Sequence, residues 1–221
     1  MRCRKLCFLM SLVLVLGLTP AVHALVNADF EGGSYLWNGQ QIPNSWEAHW
    51  NSLDFWGGPS VVHSSTEGGG NNFVQADVDA TASGGYAVCF QHGTTLVSLG
   101  VSPGETVSLT ADIIDLVVGG GSDGAILKME SWDDIGLNPL DALEVQIPGI
   151  TSSWANYSMD YTVFAGATKL TAVVGTSTGW AGPNPFPSSF GFDNVVIVPE
   201  PMTIALLGLG ALMALRRRRH Q

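Results

Sequence analysis

Cysteine is scarce in this sequence. Of its three cysteines, Cys3 and Cys7 lie in the first ten residues, and only Cys89 lies further along. If the first two are removed with an export signal, no disulfide can form within the chain. Residues 88–90 have the apolar character of a strand, which predicts that Cys89 is a buried thiol packing as a small apolar residue and not a reactive one.

Basic residues are also few, and they are unevenly placed. Seven of the nine lysines and arginines lie in residues 1–24 and 199–221, which leaves only Lys128 and Lys169 between them. Eighteen of the 19 acidic residues lie in 25–198, so that segment carries 2 − 18 = −16. Such a charge repels nucleic acid and anionic lipid, and it favours cations and neutral polar ligands. Solubility outside the cell explains the acidity equally well.

Helical periodicity is missing from residues 25–198, where no apolar repeat persists beyond two turns. β-Branched or alternating runs instead predict strands, with glycine-, proline- and asparagine-rich turns between them, at 106–116, 125–130, 157–164, 169–174 and 190–198. About ten strands in one domain predict an all-β fold, an antiparallel two-sheet jelly-roll sandwich. The absence of a fixed repeat argues against a propeller or a β-helix.

The first 24 residues have the layout of a secretory signal peptide. Arg2, Arg4 and Lys5 precede an apolar run at residues 6–18, and small residues lead to Ala24. This order predicts export with cleavage after Ala24. An uncleaved anchor is the alternative, but the apolar run is short for a membrane-spanning helix. The working domain is therefore expected at 25–198.

The last 23 residues combine three features. Pro199, Glu200 and Pro201 begin the segment, residues 201–215 carry no charge, and four arginines follow: Arg216, Arg217, Arg218 and Arg219. As a helix, the uncharged stretch is about 22 Å long, against a hydrocarbon core of about 30 Å, so it predicts a marginal transmembrane helix. The arginines would stay on the cytoplasmic side. A nucleic-acid site is disfavoured because the basic run adjoins an apolar helix.

This order of motif, helix and arginine cluster resembles the PEP-CTERM sorting domain. The resemblance covers residues 199–221 and implies an exosortase as partner, a membrane-embedded cysteine protease or transpeptidase of Gram-negative bacteria that produce exopolysaccharide. It further implies a transient anchor in the inner membrane, a cut near the motif, and a mature protein at the cell surface or in the extracellular matrix. Two prolines would keep the segment extended and accessible.

Residues 25–198 resemble the galactose-binding-like jelly roll of carbohydrate-binding modules of families 4, 9 and 22. Five segments match in order, with 25–31 and 190–197 as neighbouring first and last strands and three between them: 87–91, 107–112 and 154–159. The resemblance implies polysaccharide binding. It also implies a structural Ca²⁺ held by main-chain oxygens near the first strand together with Glu31 and Asp193. Two carboxylates with carbonyls and water satisfy the oxygen preference of calcium, but both acids could equally make surface hydrogen bonds without a metal.

All seven tryptophans lie in residues 25–198. An exposed indole can stack on the apolar face of a sugar ring, so tryptophans near loops are candidate glycan contacts. Trp56 and Trp132 are predicted to be ligand-binding, whereas Trp37, Trp46 and Trp154 are predicted to pack in the core. If all seven are buried, a purely structural surface protein without a small ligand is favoured instead.

Several motifs suggest catalysis without the structure that catalysis needs. Residues 175–179 match G-x-S-x-G and 119–124 match G-x-G-x-x-G, yet no helix is predicted after either. His49, His63 and His92 lack metalloprotease spacing and are predicted to lie at the surface or at sheet edges. No catalytic residue is therefore assigned, and we expect this protein to be non-catalytic. A secreted hydrolase or esterase acting on polysaccharide remains the alternative.

Overall fold

A computed structural model describes residues 25–37, 39–50, 60–67, 70–78, 86–117, 124–177 and 188–199. All of them belong to one compact unit, Val22–Pro199. The described elements are twelve strands and one short helix: β1 (Ser34–Trp37), β2 (Gln40–Pro43), β3 (Glu47–Trp50), β4 (Ser60–Thr66), β5 (Asn72–Val78), β6 (Tyr86–Thr95), α1 (Leu96–Leu99), β7 (Thr106–Asp115), β8 (Ala125–Trp132), β9 (Asp141–Gln146), β10 (Ala155–Thr162), β11 (Lys169–Ser177) and β12 (Ser188–Pro199).

Ten of the strands form two five-stranded sheets. The first sheet has the order β10-β7-β12-β5-β4, and the second has the order β3-β6-β11-β8-β9. Every paired strand runs antiparallel to its neighbour, while β1 and β2 form a separate hairpin. The predicted all-β, antiparallel two-sheet jelly-roll sandwich is confirmed.

The core lies between the two sheets, and β7 shows how a strand turns alternate residues towards it. In β7, every second residue from Val107 to Ile113 is buried, and the residues between them are partly exposed. A strand places successive side chains on opposite faces, so this alternation buries one face only. The largest buried side chains include Trp46, Phe190 and Phe192.

The predicted strands of the second half of the chain are confirmed as β7, β8, β10, β11 and β12. The predicted first strand at 25–31 is wrong, because these residues form turns. Asn27 and Phe30 have positive φ angles of 52° and 56°, and Phe30 N donates to Asn27 O. A strand requires negative φ throughout, so the alternating pattern of this segment is misleading.

The two ends of the domain lie close together, as expected, but they do not form a pair of strands. Val195 N in β12 donates to Ala28 O at 2.9 Å, which ties the first turn to the last strand. Trp46 covers this turn, since its ring lies 5.1 Å from that of Phe30 and its Nε1 donates to Val26 O at 3.1 Å. Side chains and one main-chain bond therefore hold the N-terminal turn where a ladder was expected.

Cys89 is fully buried in β6, as predicted. Burial raises the pKa of its thiol far above the ordinary value, so the reactive thiolate is suppressed. Among the predicted core tryptophans, Trp46 is buried and Trp154 is half-buried, but Trp37 is exposed at the end of the β1–β2 hairpin. The core assignment of Trp37 is wrong because that hairpin belongs to neither large sheet.

The G-x-S-x-G motif begins inside a strand. Gly175, Thr176 and Ser177 belong to β11, whose Gly175 pairs with Val88 of β6. A Cβ at Gly175 would collide with Ala87 O, so only glycine fits. A nucleophile elbow needs a sharp turn from a strand into a helix, whereas the first three residues of this motif continue a strand. Residues 178–187 lie outside the described part of the chain. No helix within the described residues is long and apolar enough to span a membrane.

Candidate functional site

An open groove lies on the outer face of the second sheet. The groove runs along strand β6. Its lining includes Tyr86, Val88, Phe90 and His92, which alternate with the inward-facing residues of that strand. Four residues along one face of a strand extend about 20 Å at 3.3 Å per residue. The groove has a volume of about 420 Å³, within the range of ligand sites, and its length suits an extended ligand.

The floor of the groove is apolar and its borders are aromatic and polar. Val88, Ile126 and Val173 form a small buried cluster, against which Tyr86 and Phe90 pack. The remaining lining residues come from β3, from β6, from the end of β8 and from the loop that follows it: Glu47, His49, His92, Glu130, Trp132 and Pro139. Aromatic faces beside hydrogen-bonding groups are typical of small-molecule and sugar sites.

Trp132 is held in a fixed orientation at one end of the groove. Its Nε1 donates to Glu130 Oε2 at 3.2 Å. The ring of His92 meets it edge-on, with centroids 4.8 Å apart and planes at 86°, and His92 Nδ1 lies 3.1 Å from Thr171 Oγ1. An aromatic ring fixed in this way loses little conformational entropy on binding.

Glu130 also pairs with a lysine. Its Oε1 lies 2.8 Å from Lys128 Nζ, and both side chains are mostly buried. Burial lowers the pKa of Lys128, but the hydrogen bond of Glu130, with the charges of Tyr86, Glu130 and Glu144, outweighs this effect, so the pKa is raised. Lys128 and Glu130 therefore neutralise each other, and both carboxylate oxygens of Glu130 are engaged.

Tyr86 and His49 lie towards the other end of the groove, while Glu47 lies opposite Phe90 of β6. The rings of His49 and Tyr86 lie 6.3 Å apart at a tilt of 58°. Burial, together with the charges of Glu144 and Glu130, raises the pKa of Tyr86 against the opposing effect of Lys128. Tyr86 therefore remains a neutral phenol that can both stack and hydrogen-bond.

Trp132, one of the two predicted sugar-contacting tryptophans, thus lies in this groove. Trp56 lies outside the described residues, and so does Ala24 with the expected signal cleavage site. His49 and His92 are exposed, as predicted, and the structure brings both to the same groove. For His63, the structure describes only its place in β4.

Glu31 and Asp193, the predicted calcium ligands, approach consecutive asparagines. Glu31 accepts from Asn72 N at 2.6 Å and from Asn72 Nδ2 at 2.8 Å. Asp193 accepts from Asn71 Nδ2 at 3.0 Å and from Asn194 N at 2.7 Å. The fold therefore brings the two carboxylates to neighbouring residues, at a place separate from the groove-lining residues.

The surroundings of Asp193 are anionic. Asp193 is buried and is the direct cross-strand partner of Asp112. Burial raises the pKa of Asp193, and the charges of Asp112 and Asp29 add to this rise against its hydrogen bonds to Asn71 and Asn194. The two lysines of residues 25–198 lie in β8 and β11 of the other sheet, so no lysine or arginine of that segment neutralises the cluster.

These residues fit a bound cation in one respect. Each carboxylate oxygen has a second lone pair beside its hydrogen bond, and calcium accepts main-chain carbonyls and water as further ligands. Within the described residues, however, no three or more His, Cys, Asp or Glu side chains are arranged to hold a metal ion. A calcium ion here would therefore depend on main-chain oxygens for most of its coordination.

Sequence reasoning missed most of the groove. Tyr86 and Phe90 share one strand face, and the alternation of residues 86–92 could have grouped them. Pattern alone could not show which face points outward, because Ala87 and Cys89 on the opposite face are apolar as well. Glu47, His49 and Glu130 carried no signal, since their place depends on the pairing of strands distant in sequence.

Comparison with known proteins bears on the fold. No protein-family model and no curated protein matches the chain. Among solved structures, the enzymatically active domain of tailspike protein 4 from bacteriophage CBA120 is similar over 82% of this chain and 22% of its own, with 13% identity and a TM-score of 0.52. The chain thus spans about a fifth of that tailspike chain.

Two further structural neighbours are an enzyme and a carbohydrate-binding module. An arabinose-bound GH51 α-L-arabinofuranosidase has 18% identity and a TM-score of 0.51 over 82% of this chain and 27% of its own. A family 22 carbohydrate-binding module of Clostridium thermocellum Xyn10B has 16% identity and a TM-score of 0.47 over 81% of this chain and 96% of its own. The first two of these three neighbours, with TM-scores above 0.5, are similar to this chain in fold alone.

Proposed function

We propose that this protein is a non-catalytic glycan-binding protein and that the outer groove of the second sheet is its binding site. One observation carries the proposal: Tyr86, Phe90 and Trp132 lie in one open groove with hydrogen-bonding side chains between them. Sugar rings present apolar faces to aromatic rings and hydroxyls to polar groups. Similarities at this level of identity bear on the fold alone, so the groove and not the names of the neighbours supports the function.

The groove supports binding over hydrolysis. Glycoside hydrolysis needs two available carboxyl groups, one as acid and one as base or nucleophile. Of the two glutamates that line the groove, Glu130 is engaged by Lys128 and by Trp132. The other, Glu47, has no ion pair or hydrogen bond to a described residue. One available carboxylate does not supply the two that glycoside hydrolysis needs.

Export and sorting form the second part of the proposal. The chain would leave the cytoplasm through its signal peptide and the general secretion machinery of a Gram-negative bacterium. An exosortase would then cut near Glu200 and release the domain from its transient inner-membrane helix. Strand β12 ends at Pro199, which pairs with Val107, so a cut after Glu200 leaves the first sheet whole. The mass of the protein isolated from its own cells should lack Arg216 to Gln221, and retention of that end would contradict sorting.

A structural calcium ion completes the proposal. Glu31, Asp193 and main-chain oxygens of the first turn would hold it, and its charge would relieve the repulsion between Asp193 and Asp112. The ion would fasten the first turn to β12, where one main-chain hydrogen bond already joins them. The site of this ion is away from the groove, so the ion would stabilise the fold without touching the glycan.

A glycan array tests the binding function. The full chain is applied to immobilised neutral, amino-bearing and acidic polysaccharides, and the Trp132→Ala variant is applied in parallel. We expect the wild-type chain to bind at least one polysaccharide and the variant to bind it more weakly. A wild-type chain that binds no polysaccharide would leave the structural surface protein as the better account.

A further inference from the structure

The charge of the groove restricts the class of glycan that it would bind. Glu47 and Glu130 line it, and no lysine or arginine does so among the described residues. Lys128, the lysine of β8, is paired with Glu130, with 2.8 Å between Nζ and Oε1. Lys169, the cross-strand partner of Trp132, has Asp134 Oδ1 at 3.9 Å from its Nζ. Each lysine of this face therefore already has its own carboxylate.

The uncompensated charges that remain are negative. Glu47 is exposed in the edge strand β3 and borders the groove directly. Glu144 is exposed in β9, opposite Lys128, and its charge acts on Tyr86 at the end of the groove. With residues 25–198 at 2 − 18 = −16, the rest of the domain reinforces this potential. A groove lined with one sign of charge concentrates ligands of the opposite sign and repels like-charged ones.

The aromatic side chains add to the same preference. A protonated amine over the face of a tryptophan or tyrosine is attracted by the ring quadrupole. Trp132 and Tyr86 line the groove together with Glu47 and Glu130. A ligand that carries amines along a sugar backbone could thus stack on a ring and form an ion pair with Glu47 within one groove, whereas a uronate would place a carboxylate against Glu47. Glu130 is already neutralised by Lys128.

We infer that the groove selects glycans bearing free, protonated amino groups over neutral glycans of the same backbone, and that it rejects polyuronates. This inference rests on the proposed glycan-binding function and adds the chemical class of the ligand. The two can fail separately, because neutral and amino-bearing sugars can share the same ring geometry.

The test uses β-1,4-linked gluco-oligomers of equal length that differ only at C2: hydroxyl, N-acetylamino or ammonium. A β-1,4-linked uronate oligomer is the fourth ligand. Dissociation constants are measured by calorimetry with the full chain in mildly acidic buffer at low and high salt. We expect the ammonium oligomer to bind at least about three-fold tighter than the hydroxyl oligomer at low salt, as one exposed ion pair allows. High salt should reduce that ratio, and the uronate oligomer should not bind.

Three variants separate selection in the groove from general attraction to an acidic protein. Glu47→Gln should reduce the ammonium-to-hydroxyl ratio of affinities. Glu105→Gln removes the same charge from the turn before β7, in the other sheet, and should leave the ratio unchanged. Trp132→Ala should weaken binding of the ammonium oligomer itself. If that variant still binds the ammonium oligomer as wild type does, the attraction is non-specific and the inference is wrong.

The remaining outcomes are equally decisive. Equal or tighter binding of the hydroxyl oligomer, or any preference for the uronate, would overturn the amine selection and leave glycan binding standing. No binding of any oligomer would overturn both. A thermal melt of each variant confirms that its fold is intact, as expected for Glu47 and Glu105, which are exposed.

Discussion

Gln91 binds the main chain of Val26 as a strand partner would. Its Oε1 accepts from Val26 N at 3.0 Å, and its Nε2 donates to Val26 O at 2.7 Å. The same Nε2 lies 3.2 Å from Ser45 O. A single buried side chain thus pairs with both main-chain polar groups of Val26, in an N-terminal turn that has no ladder of its own, and it fixes that turn to β6.

Replacing Gln91 with alanine should therefore destabilise the whole domain. The hydrogen bonds of Gln91 to Val26 and Ser45 are lost, and Val26 N is left without its partner, whereas Val26 O keeps the bond from Trp46 Nε1. This predicts a loss of about 2–4 kcal/mol in the free energy of unfolding. Urea denaturation measures it. Gln146→Ala, at an exposed position in β9, should change the free energy by less than about 0.5 kcal/mol. Equal effects of the two substitutions would contradict this role of Gln91.

Tyr161 gives a prediction for alkaline pH. Its hydroxyl donates to Ser131 Oγ at 2.7 Å in the core. Burial, with the charge and hydrogen bond of Asp141, raises the pKa of Tyr161 to about 12 against the opposing effect of Ser131. The folded state thus keeps the phenol proton at a pH where the unfolded chain, with its pKa near 10, loses it.

The stabilising effect of Tyr161 is therefore complete below about pH 10 and is lost as the pH rises towards 12. Tyr161→Phe should cost about 1–2 kcal/mol at neutral pH, through loss of the bond to Ser131. The difference between wild type and variant, measured by urea denaturation, should shrink between about pH 10 and 12. A constant or growing difference would contradict the raised pKa.

Calcium should stabilise the domain if Glu31 and Asp193 hold it. A ligand present at about one hundred times its dissociation constant adds about 2.7 kcal/mol, which raises the melting temperature of a domain of this size by about 5–10 °C. Asp193→Asn should remove most of this rise. Glu144→Gln, a change of equal charge in the other sheet, should retain it. Identical melting curves of wild type with calcium and with chelator would exclude the site.

Truncation of Trp132 should weaken glycan binding strongly. Loss of a well-oriented aromatic contact costs about 2 kcal/mol, or roughly 30-fold in the dissociation constant. Trp37→Ala is the matched control, because Trp37 is exposed in the β1–β2 hairpin and does not line the groove. Calorimetry with the best ligand from the array measures both. A larger effect of Trp37 than of Trp132 would move the site to the hairpin.

The sequence predicted the sandwich because its later strands have strong local signals. In β7 the buried and exposed residues alternate as the sequence does, and in β11 a run of apolar residues marks a strand at the centre of its sheet. Residues 25–31 alternate just as convincingly, yet they form turns. There the positive φ angles of Asn27 and Phe30 and the side chains of Gln91 and Trp46 determine the backbone, and these partners lie far away in sequence.

The groove was only partly predictable for a related reason. Trp132 could be proposed because it ends a strand near a loop rich in turn residues. Glu130 could not be assigned as its partner, since the bond needs the indole to fold back over its own strand. The meeting of His49 and Tyr86 depends on the pairing of β3 with β6, which no local pattern specifies.

The most direct measurement of the central claim is an NMR titration of the tryptophan indole N–H signals with the glycan that binds best. The signal of Trp132, assigned by its loss in Trp132→Phe, should shift with saturation at the calorimetric dissociation constant. The signal of Trp46, which is buried against the first turn, should stay in place. Saturable shifts at other tryptophans with none at Trp132 would show that the glycan binds elsewhere, and the account of this groove would be wrong.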